Sequence, residues 1–239
     1  MIRSVFILIW TVMATGFFSL MAIIASLLDK KGEWPHLVAR VWGRSILFGA
    51  RVKVTVKNPA NIDPSRSYIY MSNHQSNFDI PVLLAYLPVQ FRWLAKVELF
   101  SIPIFGFAMQ RAGYISIDRS DRKAAILSLR RAAEIIRGGV SVMIFPEGTR
   151  SLDGNIRPFK SGGFILAIDS GVPIVPVIIH GTFPIMPKDR LRIRPGKVVL
   201  EIEKPVETSS FSRSGKAELL EKVRQIITES HEKEKKRIE

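Results

Sequence analysis

The chain of 239 residues contains no cysteine. This absence excludes disulfide scaffolds, thiol catalysis, iron–sulfur clusters and zinc sites built on thiolates. Histidine is scarce, and because its four residues form no HExxH helix or closely spaced pair, a histidine zinc site is not expected. The GxSxG, Walker A and GxGxxG patterns are also missing, so nothing indicates an α/β-hydrolase serine or a nucleotide-binding loop.

Acidic residues are few: 21 Asp and Glu stand against 35 Lys and Arg, which leaves a net charge of +14. The hydrophobic share of 47% is enough to build a core and excludes a disordered chain. Residues 35–135 hold 14 basic and six acidic residues, so more than half of the excess charge lies there. Because no zinc finger, RNP-like strand or basic zipper occurs, we expect this charge to meet anionic lipid and not nucleic acid.

Long apolar runs are limited to one, residues 5–28, which contain no charge. As a helix this run is about 36 Å long, enough to cross roughly 30 Å of hydrocarbon. A single run excludes a many-span transporter. Its length and the lack of a cleavage site favour a membrane anchor over a removable signal peptide.

Residues 33–50 predict a second helix, which is amphipathic. Its apolar positions are Leu37, Val41, Ile46 and Leu47, and its basic positions are Arg40 and Arg44. The tryptophans that suit the headgroup level of a bilayer are Trp10, Trp34 and Trp42.

Two arrangements of these N-terminal segments stay open. One is a transmembrane span, and the other is a two-helix hairpin embedded in one leaflet. In a span, Arg3 lies on one side of the membrane and Lys30 and Lys31 on the other. The larger positive charge then places the body of the protein in the cytoplasm.

Helical spacing and apolar alternation predict that strands and helices alternate along the rest of the chain. Strands are expected at residues 51–57, 68–71, 91–95, 113–117, 140–145, 172–179 and 198–203. Helices are expected at residues 78–87, from Ser120 or Asp121 to Gly138, at 163–169, and near the C-terminus, where the charged tail 229–239 should fray. This order predicts an α/β fold with a central mixed sheet flanked by helices, in which residues 51–239 form one domain and residues 1–50 its membrane anchor.

His74 and Asp79 are the informative pair among the polar residues that follow predicted strands. They are five residues apart, in a turn between a strand and a helix, so the carboxylate can fold back onto the imidazole. An aspartate that accepts from one ring nitrogen leaves the other nitrogen as a base. The arrangement has no nucleophile of its own, so a hydroxyl group on the substrate would have to attack. Read alone, the pair is more typical of a histidine beside a helix-capping aspartate with no chemistry, because this spacing is common by chance.

Three other strand ends carry a cation. Arg150 lies in FPEGTRS at 145–151, Arg119 closes GYISIDR at 113–119, and Lys96 follows the strand near residue 95. A guanidinium offers a bidentate fork for phosphate. Alone, each of these residues is as typical of a solvated turn, and VPIVPV at 172–177 is typical of a core strand.

Taken in order, these blocks resemble the glycerolipid acyltransferase family, in particular the bacterial members that acylate 1-acyl-glycerol-3-phosphate. The matching stretches are NHQSNFD at 73–79, GYISIDR at 113–119, FPEGTRS at 145–151, FKSGGFILA at 159–167 and VPIVPV at 172–177. The resemblance covers residues 50–205, and the N-terminal apolar segment also fits.

The resemblance implies roles for individual residues. His74 is the general base and Asp79 orients it, while Lys96, Arg119 and Arg150 bind the phosphate of the acceptor. The residues implied to shape that phosphate pocket are Glu147, Gly148 and Thr149. The VPIVPV block is expected to line the donor or acyl site.

The implied reaction moves an acyl chain from acyl-CoA or acyl-carrier protein to the sn-2 hydroxyl of lysophosphatidic acid, which gives phosphatidic acid. No metal or prosthetic group is implied. The implied location is the bacterial inner membrane, with the catalytic domain on the cytoplasmic face.

Two other functions stay open. The first is acyl transfer to a different acceptor, such as glycerol-3-phosphate, another lysophospholipid or a lyso-aminolipid. The second is a non-catalytic membrane protein that binds anionic lipid, in which His74 is incidental. A further segment, residues 188–197, carries Arg190, Arg192 and Arg194 and is expected to be either a docking patch for the acidic donor or a solvated loop.

Overall fold

The structure, a computed structural model, describes residues 2–29 and 31–238, with side chains as far as residue 235. Lys30, which belongs to the charge argument for a span, lies outside the described residues. The helices are α1 (Ile2–Leu28), α2 (Glu33–Ala50), α3 (Asp79–Tyr86), α4 (Phe105–Arg111), α5 (Arg122–Arg137), α6 (Gly162–Ser170) and α7 (Lys216–Ile238). The strands are β1 (Val52–Lys57), β2 (Ile69–Ser72), β3 (Arg92–Lys96), β4 (Ile115–Ile117), β5 (Val142–Ile144), β6 (Ile174–His180) and β7 (Gly196–Ile202).

The strands form one mixed sheet in the order β1-β7-β6-β2-β5-β3-β4. Every neighbouring pair is parallel except β6 and β7. The predicted α/β fold with a central mixed sheet is therefore confirmed. Because β2, β5, β3 and β4 run in the same direction, their carboxyl ends meet at one edge of the sheet.

Helices cover both faces of the sheet, as the side-chain alternation of β2 shows. Tyr70 packs into the core under α2 and α3, together with Leu47 and Leu83. Ile69 packs into the opposite core under α5, α6 and α7. The strand is buried on both sides, which is why these strands read as continuous apolar runs. Asp121 begins α5 by accepting from the backbone N–H groups of residues 123 and 124, as one of the two predicted caps.

Helix α1 lies along the body through its small and polar residues. Its buried residues are Ser4, Ile7, Ala14, Ser19, Ala22 and Ser26. The large apolar side chains of the helix point outward, with Phe6 68% and Val12 73% exposed. By length and composition α1 is the one helix in the described part of the chain that could cross a membrane.

The sidedness of α2 differs from the prediction. Ile46 and Leu47 are buried against the body, but Leu37 and Val41 are about half exposed on the outside of the helix. The helix thus has two apolar stripes, and periodicity alone does not tell which stripe the protein covers. Trp42 also turns inward, where its indole N–H donates to Thr15 Oγ1 at 3.1 Å.

Two further expectations were wrong. The segment between β3 and β4 contains α4 and a 3₁₀ turn, Val97–Ser101, where no helix was predicted. The charged tail does not fray at residue 229, because α7 continues to Ile238. Packing keeps its last turns on the sheet, since Ser230 Oγ donates to Glu201 of β7 at 2.7 Å.

Candidate active site

The turn after β2 brings the predicted pair together. His74 Nδ1 lies 2.8 Å from Asp79 Oδ2, and the same oxygen accepts from the backbone N–H groups of Gln75 and Ser76. Asp79 is fully buried and is the first residue of α3, where the positive end of the helix favours a carboxylate. This hydrogen bond assigns a proton to Nδ1 and leaves Nε2 of His74 with a free lone pair.

Thr182 completes the surroundings of the carboxylate and was missed by sequence reasoning. It lies two residues beyond β6, is fully buried, and donates its hydroxyl to Asp79 Oδ1 at 2.5 Å. Both oxygens of Asp79 are therefore held. The only signal in the sequence was a polar residue soon after the end of a buried strand, which is too weak to single out one threonine.

Phe145 fixes the plane of the imidazole. Its ring stacks on that of His74 with centroids 3.9 Å apart and planes 10° from parallel, and Trp93 stacks on Phe145 in turn. His74 is 14% exposed as a result. The base is held in one orientation at an apolar wall, and only a small part of its surface is accessible.

The carboxylate of Glu147 accepts hydrogen bonds from backbone N–H groups, one of them in the turn of His74. Its Oε1 accepts from the N–H of His74 at 2.7 Å, and its Oε2 accepts from the N–H of Arg157 at 2.9 Å. Burial raises the pKa of Glu147 to about 7, against the pull of these two N–H groups. The carbonyl of His74 is held as well, by the N–H of Ser151 at 2.8 Å. Glu147 was expected to bind substrate, but within the described residues it is not part of the cavity wall.

The three cations reach the same cavity as His74. Lys96 ends β3, Arg119 follows the neighbouring β4, and Arg150 follows β5. Lys96 and Ile117 are register partners, so Lys96 and Arg119 leave adjacent strands at the same level. Gly148 and Thr149 line this cavity too. The parallel half of the sheet has thus brought five of the six predicted substrate-binding residues to one site.

The cavity has a volume of about 460 Å³ and joins this polar set to an apolar one. The apolar and small lining residues from the helices include Thr15, Phe18, Ser19, Ala22, Ala39, Trp42, Ala108 and Met109. Helix α1 therefore forms part of the wall and is more than an anchor. Tyr114 also lines the cavity, and burial raises its pKa.

Two predicted elements lie elsewhere. Residues 172–177 belong to β6 and its approach, where Ile174, Val175 and Val177 fill the cores on either side of the sheet. Within the described part of the chain none of them lines the cavity, so the expected donor or acyl wall is not there. Of the 188–197 segment, residues 188–195 form a loop with its arginines exposed, and the last two residues begin β7. The loop lies beside the start of α1, where Ser4 Oγ accepts from the N–H of the buried Ile193 at 2.9 Å.

Taken together, the geometry brings an oriented imidazole, three cations and an apolar wall into one cavity. Nε2 of His74 can take a proton from a bound hydroxyl. The three cations can hold a phosphate, with the arginines in bidentate geometry. The apolar wall can take hydrocarbon. An amphiphile with an anionic head and a hydroxyl group would match all three features of the cavity.

Comparison with known proteins gives three kinds of match. A family model described as "Acyltransferase" matches residues 53–180. A chloroplast 1-acyl-sn-glycerol-3-phosphate acyltransferase from Brassica napus is 38% identical over 83% of this chain. A human 1-acyl-sn-glycerol-3-phosphate acyltransferase alpha is 34% identical over 74% of it. The chain spans only 56% of the Brassica protein and 62% of the human one.

The fold also matches a solved structure. This is the crystal structure of the 1-acyl-sn-glycerophosphate (LPA) acyltransferase PlsC from Thermotoga maritima, which is 29% identical in sequence. The match has a TM-score of 0.84 and covers 98% of this chain and 95% of the other.

Proposed function

Because the chain belongs to the acyltransferase family, we propose that it transfers an acyl chain from a thioester to the sn-2 hydroxyl of lysophosphatidic acid, which gives phosphatidic acid. The observation that carries the proposal is the composition of one cavity. A histidine oriented by Asp79 shares that cavity with Lys96, Arg119 and Arg150 and with an apolar wall. The names of the relatives point the same way.

The proposed reaction is a direct transfer. Nε2 of His74 takes the proton as the lipid oxygen forms a bond to the thioester carbonyl carbon. The tetrahedral intermediate then collapses, the carbon–sulfur bond breaks, and His74 returns the proton to the leaving thiolate. Asp79 stabilises the transient imidazolium through Nδ1. No acyl-enzyme, metal or prosthetic group enters this scheme.

The cations have a second role beyond affinity. The glycerol backbone of the lipid keeps the sn-2 hydroxyl close to the phosphate. When Lys96, Arg119 and Arg150 hold the phosphate, they therefore also place this hydroxyl at His74. Arg119 comes from β4, while Arg150 comes from β5 on the other side of β3. A headgroup bound between them is held from two sides.

Acyl-CoA and acyl-carrier protein are both acidic thioester donors, and we propose that the 188–197 segment attracts them. Arg190, Arg192 and Arg194 are exposed on this loop. Replacing all three arginines by glutamine should raise KM for the donor and leave KM for the acceptor unchanged. An unchanged donor KM contradicts this assignment and leaves the segment as a solvated loop.

For the membrane, we propose the one-leaflet arrangement of α1 and α2. Both ends of α1 are tied to the body: Ser4 bonds Ile193, and Ser26 Oγ accepts from Arg111 Nε at 2.8 Å. A crossing helix would carry one end about 40 Å from the other across the bilayer, away from those partners. The outward apolar side chains of α1 would instead sink into the near leaflet. The bacterial inner membrane stays a prediction from the sequence.

The lack of cysteine makes the membrane arrangement easy to test. Single cysteines are introduced at Ile2 and Leu28, each 76% exposed at opposite ends of α1, and at Arg66 on the body. The one-leaflet arrangement predicts that an impermeant maleimide labels all three positions from the same side of sealed vesicles. Labelling of the two ends of α1 from opposite sides would establish a span.

The reaction is tested with purified protein in mixed micelles, a radiolabelled acyl-CoA and lysophosphatidic acid. Wild type should form phosphatidic acid, and His74→Ala should lose about 10²–10⁴-fold in rate. Thermal unfolding of both proteins controls for loss of fold. Full activity of His74→Ala would remove the role of this residue, and a trapped acylated side chain would contradict direct transfer.

A panel of acceptors separates the remaining possibilities. Lysophosphatidic acid is compared with glycerol-3-phosphate, lysophosphatidylcholine and a lyso-aminolipid at equal donor concentration. The cation set predicts a strong preference for a phosphate monoester attached to a single acyl chain. A higher rate with any other acceptor would reassign the substrate. Binding of anionic vesicles without turnover of any acceptor would instead favour a lipid-binding protein.

A further inference from the structure

Gln75 connects the turn of the catalytic pair to a distant part of the chain. Its backbone N–H donates to Asp79 Oδ2, while its side chain points away from the cavity wall and is buried. The side-chain amide donates to the carbonyl of Gly154 at 2.5 Å and lies 3.0 Å from Nε2 of His231. One residue next to His74 is therefore held by two other segments.

His231 lies in α7, 156 residues further along the chain. Its ring stacks on that of His180 with planes 8° from parallel, and Nε2 of His180 is 3.1 Å from Glu201 Oε2. Ser230 donates to the same carboxylate oxygen. These contacts place the imidazole of His231 firmly against the sheet, with one nitrogen directed at Gln75.

The loop at residues 151–154 links Gln75 back to His74. Gly154 donates its N–H to Ser151 Oγ at 3.1 Å, and Ser151 donates its own N–H to the carbonyl of His74. Ser151 directly follows Arg150, one of the proposed phosphate ligands. Gln75 and His231 thus brace both the turn that carries the base and the loop that carries a phosphate ligand.

We propose that His231 is a positioning residue for acyl transfer, which holds the side chain of Gln75 and through it the turn of His74 and the loop after Arg150. This inference rests on the proposed function. Because the amide of Gln75 already donates to Gly154, its second N–H requires an acceptor. Neutral His231 supplies one at Nε2 when its proton is on Nδ1, and Nε2 is nearer to Gln75, at 3.0 Å, than to the carbonyl of Gly154, at 3.3 Å.

Protonation of His231 would break this contact, since two N–H donors would then face each other. The groups around the imidazole are His180 from β6, Glu201 from β7 beyond it, the carbonyl of Gly154, and Glu232 and Lys235 on α7. Burial and the neighbouring His180 lower the pKa of His231. Its Nδ1 has no hydrogen-bond partner within the described residues, while the carbonyl of Gly154 and the carboxylate of Glu232 oppose the lowering without reversing it. The neutral form is the one that the site favours.

The test compares two replacements of His231. His231→Leu keeps bulk but removes the acceptor, and kcat should fall about tenfold, equivalent to about 1.4 kcal/mol, with KM for the acyl donor unchanged. His231→Gln offers an amide oxygen near the position of Nε2, and kcat should stay within about twofold of wild type. Equal losses in the two variants, or no loss in His231→Leu, would overturn the proposal.

The pH profile gives a readout that a purely structural role would not move. As the pH falls, wild type should lose kcat more steeply than His231→Gln, because protonation of His231 breaks its contact with Gln75, whereas glutamine does not titrate. Identical acid limbs would contradict the assigned contact. Val223→Ala, a core change on the same helix, is the control: it should lower Tm without altering kcat or the acid limb.

Hydrogen exchange separates failure of this inference from failure of the proposed function. Peptides that cover residues 72–79 and 151–155 should exchange faster in His231→Leu than in wild type and Val223→Ala. If wild type transfers no acyl chain but this contrast appears, the contact stands and the proposed function fails. If the wild type is active and the contrast is absent, the positioning role fails alone.

Discussion

Glu147→Gln is the most informative change to the candidate site, because it alters hydrogen bonding without altering shape. Each carboxylate oxygen of Glu147 accepts one backbone N–H, from His74 and from Arg157. An amide has only one oxygen, so in either orientation its NH₂ group faces a backbone N–H. One buried donor is then left unpaired at a cost of about 1–3 kcal/mol.

Part of this cost should appear as lost catalysis, since the N–H of His74 is one of the two donors. At about 1.4 kcal/mol per factor of ten, we expect kcat to fall severalfold, and by about 100-fold at most. The assay is acyl transfer to lysophosphatidic acid, with kcat and KM determined separately. Glu207→Gln is the matched control, because Glu207 forms an exposed ion pair with Arg66 and should leave kcat unchanged. A wild-type kcat in Glu147→Gln would refute the reasoning.

The same variant has a signature in stability. Burial raises the pKa of Glu147 from 4.5 to about 7, so the folded protein holds this proton more tightly than the unfolded chain. The free energy of unfolding of wild type should therefore fall as the pH rises from about 4.5 through 7, by on the order of 3 kcal/mol. Glutamine does not titrate, and urea unfolding of Glu147→Gln should show a flatter dependence in this window. Equal slopes in the two proteins would contradict the assigned pKa.

Three further outcomes are expected. Thr182→Val removes the donor to Asp79 Oδ1 and should lower the free energy of unfolding by about 1.5–3 kcal/mol in urea titrations, with a fall in kcat; no change in either would show that the bond contributes nothing. Gly148→Ala should lower kcat/KM for lysophosphatidic acid, because φ is +73° and a Cβ atom would lie 3.1 Å from Lys160 Cε; wild-type kinetics would contradict this. Arg150→Lys loses the planar fork and should raise KM for lysophosphatidic acid about tenfold with KM for the donor unchanged, whereas equal changes in both would argue against phosphate binding.

The pair His74 and Asp79 could be proposed from the sequence because its geometry is local. Five residues of turn suffice to return the carboxylate to the imidazole, and the structure places Nδ1 and Oδ2 2.8 Å apart. The convergence of Lys96, Arg119 and Arg150 was also foreseeable, since the ends of parallel strands share one sheet edge. Their catalytic and binding roles stay predictions until the variants are measured.

Contacts between distant segments could not be predicted in this way. Thr182 meets Asp79 across 103 positions, and Glu147 meets the N–H of His74 across 73. The sequence around one strand end does not specify which atom of another strand end it will contact. Sequence reasoning therefore gave Glu147 a place against the substrate, whereas the fold turns its carboxylate onto the backbone.

The ends of the chain show the same limit. The tail after residue 229 is too charged to form a core, yet Ser230 and His231 are held by Glu201 and Gln75. A few specific contacts outweighed an unfavourable composition.

In α2, the period of 3.6 residues established that two apolar stripes exist but not which one the body would cover.

The missing cysteine and the single long apolar run by themselves excluded thiol chemistry, disulfide scaffolds and many-span transporters. The alternation of strand and helix patterns predicted the α/β fold, which the structure confirms, and a place beside lipid stays a prediction. Only the tertiary structure decided that α1 lines the cavity, that Thr182 and Glu147 hold the turn of His74, and that α7 contacts Gln75 in this turn. The physical reason is range: composition and periodicity follow from neighbours along the chain, whereas a site is assembled by packing between segments that lie far apart in it.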